Sequence, residues 1–213
     1  VSNTPSAHVD AVAELTLAGL MAILRQVPAS DASIRAGSFD KPMGRLLRGK
    51  TVGFVGFGQV ARALATLIAP FDCKLLAYDV VQDAAAATAL GATYATLDRV
   101  VADADIVSIH VPYSKAAHNL IGAAQLASMK RDAILVNTAR GGLVDEAALL
   151  AHLQANAKAG AYLDCFEKEP YAGPLATLKN VVLTAHIGSY AREARLRMET
   201  EAAQNLLRSL GKA

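Results

Sequence analysis

Arg140, Glu169 and His186 are three side chains of complementary chemistry in the C-terminal half of the chain. A histidine titrates near neutrality and can take or return the proton of a hydroxyl. A carboxylate touching the imidazole fixes its orientation and favours its protonated form. An arginine offers a planar fork that grips a carboxylate at two points and polarises a neighbouring carbonyl. Moving hydride to or from a carbinol carbon needs such a proton acceptor and such an anion clamp. Each residue also has a plain structural reading. Arg140 could serve in an ion pair, Glu169 could be solvated beside Lys168, and His186 could be a satisfied buried histidine. What joins the three is that each follows the end of a predicted strand.

A second group of residues points to the hydride carrier. Gly56-Phe-Gly58-Gln59-Val60-Ala61 fits G-x-G-x-x-G/A after the short apolar run Val52 to Val55. Gly56 lets the strand turn sharply, and Gly58 lets a pyrophosphate approach the backbone. Ala61 lets the next helix pack close. The amides of Gln59 and Val60 then face the phosphates, aided by the helix dipole. Asp79 follows Gly58 by about 20 residues, where an acid accepts hydrogen bonds from the adenosine ribose. Val80 and Val81 come next, so no arginine in that stretch would neutralise a 2′-phosphate. The pattern predicts NAD rather than NADP.

The elements that must position these residues alternate. Strands are expected near 51–56, 74–78, 92–95, 105–110, 133–137, 158–163 and 181–184. Helices are expected near 59–69, 83–90, 96–102, 123–128, 145–155 and 189–210. Asp145 caps one helix with Glu146 in its first turn; Ser189 caps the last, which Gly211 ends. After Pro5, residues 8–27 read as one long helix ended near Pro28. Its apolar positions wrap most of the way round, which predicts burial on more than one side. Alternating strands and helices predict an α/β fold, a doubly wound parallel sheet with the ligand at the carboxyl ends of its strands. Repeats and low-complexity segments are absent from the sequence, beyond the alanine run 84–87.

Composition narrows the function classes. The 213 residues are 53% hydrophobic and 19% charged, so a large core is available. A net charge of +2 gives no reason to expect nucleic acid or an anionic membrane as a partner. Cys73 and Cys165 are too few for a disulfide framework and form no C-x-x-C pair. A reduced cytoplasmic protein without a metal site is expected, and the N-terminus lacks a signal-peptide pattern. The chain starts at Val1 without Met, which predicts a piece of something longer.

At three strand-end loops the chain resembles the D-isomer-specific 2-hydroxyacid dehydrogenases, especially the phosphoglycerate dehydrogenase-like branch. Leu135-Val-Asn-Thr-Ala-Arg-Gly-Gly-Leu-Val-Asp-Glu146 resembles that family's arginine signature. Asp164-Cys-Phe-Glu-Lys-Glu-Pro170 resembles its D-V-F-x-x-E-P signature, and Leu183-Thr-Ala-His-Ile-Gly188 its histidine signature. The order matches, and the resemblance runs over essentially the whole chain. It implies that Arg140 binds the substrate carboxylate, His186 is the acid/base and Glu169 is its partner. It also implies that Asp164 holds the nicotinamide carboxamide. Thr138, Ala139 and the Val111-Pro112 turn line the cofactor, and Gly188, Arg140 and His186 are counted with them. Glu169 separates the chain from the formate dehydrogenase branch, which carries glutamine there.

Several positions depart from that pattern. Ala185 stands where proline is usual before the histidine, and Cys165 where valine is usual. Tyr113-Ser-Lys-Ala-Ala-His118 differs from the common P-L-T-x-x-T stretch. The family's separate substrate domain is not represented. The expected organisation is therefore one NAD-binding domain over 1–213. It comprises a leading helix and linker at 1–50, a Rossmann core at 51–190 and a C-terminal helix at 191–213. The expected activity is NAD-dependent oxidoreduction of a D-2-hydroxy acid and its 2-oxo acid, with 3-phosphoglycerate the acid that overall resemblance suggests. The first helix is expected to form a homodimer. The alternative is an NAD(H)-sensing interaction module of the kind found in corepressors that resemble this family.

Overall fold

The apolar runs of the sequence become seven short strands, each followed by a turn at the same edge of one sheet. They are β1 Thr51–Val55, β2 Lys74–Tyr78, β3 Ala92–Tyr94, β4 Ile106–Ile109, β5 Ile134–Asn137, β6 Gly160–Leu163 and β7 Val181–Leu183. The computed structural model describes residue 4 and residues 6–211. Pro5, read as the boundary before the first helix, and residues 212–213 of the C-terminal segment lie outside them. The strand order is β3-β2-β1-β4-β5-β6-β7, and every neighbouring pair is parallel. The chain winds outward from β1 in one direction, then returns to β4 and winds in the other. This is the doubly wound α/β arrangement, and its crevice lies where the connections after the paired strands β1 and β4 leave in opposite directions.

Helices cover both faces: α1 Val9–Leu24, α2 Val27–Arg35, α3 Gln59–Ile68, α4 Ala84–Ala89, α5 Leu97–Asp103, α6 Ala123–Ser128, α7 Glu146–Ala155 and α8 Arg192–Ser209. Successive strand residues serve opposite sides. Ile134 and Val136 join the cluster that contains Leu20, Phe54 and Leu64, whereas Leu135 joins the one that contains Val100, Leu126 and Leu149. Burial on both faces is why these strands read as continuous apolar runs rather than alternating ones. The predicted cap at Asp145 is present: its carboxylate accepts the Ala148 N–H of α7 at 2.9 Å.

Two boundaries differ from the expectations. The long first helix is two helices, because α1 stops at Leu24 and Gln26 turns left-handed at φ 55°. Pro28 sits in the first turn of α2 rather than ending α1. A first-turn residue has no intrahelical partner for its N–H, so proline is tolerated there. The last helix begins at Arg192 with Ala191 as its uncapped flank, and Ser189 belongs to the preceding loop. Within the chain α1 already buries Val12, Leu20, Ile23 and Leu24. Glu14 and Ala18 form its open side. No single described helix is long and apolar enough to cross a membrane; only α1 and α2 together have that length, bent by 64°.

Candidate active site

The turn after β1 has the form that its glycines predict. Gly56 adopts φ 91°, and a Cβ there would meet Val111 Cγ1 at 2.8 Å and the His110 carbonyl carbon at 2.9 Å. Only glycine allows both the turn and the close passage of the strand-β4 turn that carries Val111 and Pro112. A Cβ added to Gly58 would meet nothing within 4 Å, so the backbone lies open on that side. Gly58 is also the flank of α3 and brings no capping side chain. The amides of Gln59 and Val60 therefore begin a ten-residue helix at its positive end. Ala61 is fully buried beneath them.

Asp79 lies at the end of β2, and its carboxylate is tied to the glycine turn itself. Oδ2 accepts the Phe57 N–H at 2.7 Å, and Oδ1 accepts the Val81 N–H at 3.1 Å. One nearby cation escaped the sequence reading. Arg62 donates from Nε to the Phe57 carbonyl at 2.9 Å and pairs with Asp83 at 2.9 Å. It sits on α3 rather than after Asp79, so the local sequence around the acid carries no sign of it.

At the other half of the sheet edge, side chains pin the loops that carry Arg140, Glu169 and His186. Asn137 accepts the Ala139 N–H at 3.1 Å and donates to the Arg140 carbonyl at 2.9 Å, closing the turn after β5. Gly141 then passes so close to the Phe166 backbone that any Cβ would overlap it. Arg140 is exposed, with its guanidinium on the Ala139 carbonyl at 2.6 Å. The Thr138 hydroxyl meets Thr16 of α1 at 2.7 Å in the interior.

Asp164 is fully buried and organises the loop after β7. It accepts from the Thr184 hydroxyl at 2.6 Å, the Ile187 N–H at 2.9 Å and the Gly188 N–H at 2.8 Å. The residue between, His186, is held left-handed at φ 53°. Its Nδ1 lies 2.9 Å from Glu169 Oε2 and 3.1 Å from Oε1. Glu169 Oε1 also accepts the Phe166 N–H at 3.0 Å. Burial raises the Glu169 carboxyl. The hydrogen bonds from His186 and Phe166 and the charges of His186 and Arg140 outweigh it and hold the group below its usual range. Burial pushes the adjoining Cys165 thiol up to about 12.

Two clefts meet at this cluster. One, of about 390 Å³, runs from Arg140, Glu169 and His186 to Tyr113 and His118. The other, of about 310 Å³, is lined by Val12, Thr138, Asp164, Gly188 and again Arg140 and His186. Arg140 and His186 thus line both clefts, and Glu169 lines the first.

Residues 17–188 match the family model described as "D-isomer specific 2-hydroxyacid dehydrogenase, NAD binding domain". The chain belongs to the D-isomer-specific 2-hydroxyacid dehydrogenase family, as its NAD-binding domain. It is 41% identical to a glyoxylate reductase of Thermococcus litoralis, over 97% of this chain and 66% of that protein. It is 37% identical to a D-3-phosphoglycerate dehydrogenase of Archaeoglobus fulgidus, over 97% of this chain and 40% of that one. Among solved structures, D-lactate dehydrogenase with NAD⁺ from Lactobacillus jensenii superposes with a TM-score of 0.86. That match has 31% identity and covers 100% of this chain and 69% of that one. The chain spans about two thirds or less of the length of these curated relatives.

As the cofactor domain of such a dehydrogenase, the chain has a surface that fits NAD. The open backbone at Gly58, the start of α3 and the acid after β2 stand in that order along one edge. The sequence reading missed Thr16, whose partner Thr138 is distant in the chain. It quoted Asn137 and Thr184 only as members of strand-end loops. Short polar residues beside a strand end were the available signal for both. Tyr113 and His118, noted as departures from the family pattern, are cleft-lining residues whose rings meet edge-on at 6.2 Å.

Proposed function

We propose that this chain is the cofactor half of an NAD-dependent oxidoreductase that interconverts a D-2-hydroxy acid and its 2-oxo acid. The observation that carries the reading is the His186–Glu169 pair at 2.9 Å beside Arg140 in one cleft. Bound at the edge from Gly58 to Asp164, NAD supplies or accepts the hydride. Gly56 shapes the turn, while Gly58, Gln59 and Val60 take the pyrophosphate and Asp79 the ribose. Val111, Pro112, Thr138, Ala139 and Gly188 line the rest of the cofactor. Asp164 acts through the loop it holds and, lining the second cleft, anchors the nicotinamide carboxamide. Arg140 grips the substrate carboxylate and polarises the reacting carbonyl. His186 gives its Nε2 proton to the forming hydroxyl, or takes it in the reverse direction. Glu169 orients the ring through Nδ1 and stabilises the charge that develops there.

Glyoxylate and 3-phosphoglycerate, after which the relatives are named, are the first acids to try. The domain organisation is one cofactor unit over 1–213, acting with a substrate domain in the whole protein. A homodimer through the first helix is part of this reading; the exposed apolar side chains that would extend such an interface, among them Phe39 at 76% and Met43 at 92%, lie in the segment after that helix. Two free cysteines suit a reducing cytoplasm. The family match supports this reading over an NAD(H)-sensing corepressor module.

In a protein carrying the substrate domain, His186→Ala should lower kcat by about 10²–10⁴-fold, the usual worth of general acid/base catalysis. NADH affinity should stay near that of the wild type. Near-normal turnover, or a loss confined to cofactor affinity, assigns the proton transfer to another group.

A further inference from the structure

Cys165 is the neighbour of the proton-transfer pair for which the reaction has no use. It is buried on the loop that links Asp164 to Glu169, in a place where the family resemblance leads one to expect valine. Valine would fill the same space and offer no lone pair. With cysteine there, one donor atom each from Cys165, Glu169 and His186 lies within 4.8 Å of the others. A thiolate, an imidazole and a carboxylate are the ligands zinc takes in four-coordinate sites, with the fourth position open to water.

The spacing of the imidazole and the carboxylate is near what such an ion needs. Zinc–nitrogen and zinc–oxygen bonds of about 2.0–2.2 Å set the two ligand atoms roughly 3.3–3.5 Å apart in a tetrahedral site. His186 Nδ1 and Glu169 Oε2 are 2.9 Å apart, so the hydrogen bond would open by roughly half an ångström. Glu169 and His186 are exposed to the cleft, which gives a cation a way in.

We propose that Cys165, Glu169 and His186 form a site for a thiophilic divalent cation of the zinc class, and that its occupation arrests proton transfer. The second clause rests on the proposed role of His186; the first does not. Starting from neutral imidazole protonated at Nδ1, the ion takes the Nδ1 lone pair and that proton passes through water to Nε2. The thiol proton leaves to solvent as the sulfur–metal bond forms. One proton is released and no electrons change hands. The ring then has no free lone pair to accept the substrate's hydroxyl proton, and its Nε2–H is a far weaker acid than imidazolium. The cation occupies the position of the proton that Glu169 otherwise stabilises.

The test adds cobalt(II) alone, then zinc(II) alone, to the whole chain. The wild type should show a thiolate-to-cobalt charge-transfer band and release one proton per zinc. Cys165→Val should show neither, with zinc affinity falling by more than the about 10–100-fold that losing an outer-shell partner costs. NADH binding by both proteins reports that the variant is folded. In a protein carrying the substrate domain, zinc should stop wild-type turnover and a chelator should restore it, while Cys165→Val turns over and resists zinc. No band in the wild type, or an equal band in the variant, overturns the site. A band with full turnover at saturating zinc overturns the role of His186 in proton transfer and leaves the site standing.

Discussion

At the residue scale, the imidazole of His186 is defined by what stands behind it. Glu169 touches Nδ1 with both oxygens, which leaves Nε2 as the atom for the proposed proton transfer. Reduction of a 2-oxo acid needs the imidazole as a proton donor, and the Glu169 carboxyl behind it, held below its usual range against burial by the hydrogen bonds from His186 and Phe166, supplies a negative charge. Glu169→Gln retains an acceptor but removes that charge. The alkaline limb of the pH–rate profile for reduction should therefore move to lower pH, with NADH affinity little changed. A profile that superposes on the wild type would show that the carboxylate only orients the ring. Asp79 raises a similar question of charge against contact, since it also accepts from Phe57 and Val81. Asp79→Asn keeps an acceptor for Phe57 and removes the repulsion of a 2′-phosphate. The wild type should prefer NADH to NADPH, and the variant should lose roughly 1–3 kcal/mol of that preference, the worth of a charged hydrogen bond. Calorimetric titration with both cofactors checks this; equal wild-type affinities would remove Asp79 from the ribose site.

At the element scale, the strands end at one edge, but side chains hold the loops in place. Asp164, just past β6, fixes the loop after β7, and Asn137 at the end of β5 fixes its own turn. The cap of α7 belongs to the same stretch, because Asp145 follows the arginine turn and its N–H bonds the Ile121 carbonyl. Asp145→Ala leaves the Ala148 N–H without its acceptor and should cost about 1 kcal/mol of stability, while Asp145→Asn should cost much less. Denaturant unfolding of the two variants measures the difference. A lowered midpoint for Asp145→Asn equal to that of Asp145→Ala would mean that charge, not capping, is what α7 needs.

At the scale of the whole molecule, the described residues leave apolar side chains uncovered in several regions. One lies at residues 27–46, where Val27, Ile34, Phe39, Met43 and Leu46 are exposed; another is on α8, at Leu196, Leu206, Leu207 and Leu210; a smaller one is Val80 and Val81 after β2. Contiguous exposed apolar surface marks association in most proteins. Sedimentation of the chain should show a dimer through the first of these. A clean monomer at high concentration, with α1 formed, would count against it. The exposed face of α8 is a second such surface, and the chain spans only part of its relatives' length.

The order of elements, the parallel sheet, the glycine turn and the three chemical loops were all legible in the sequence. Those features are local. Apolar run length, a glycine that must turn, and an acid or histidine just past a strand each leave a signature within a few residues. Topology rules then bring every strand end to one edge. The helix break at Pro28 was misread because proline marks a first turn as well as a stop, and the chain nearby does not say which. The clamp of Asp164 on the histidine loop, the Thr16–Thr138 contact, Arg62 on the same Phe57 backbone as Asp79 and Cys165 within reach of Glu169 and His186 come from segments distant in the chain or from side-chain direction. Such contacts have no sequence period. Only packing, which must fill the space between layers and partner each buried polar group, decides which of them meet.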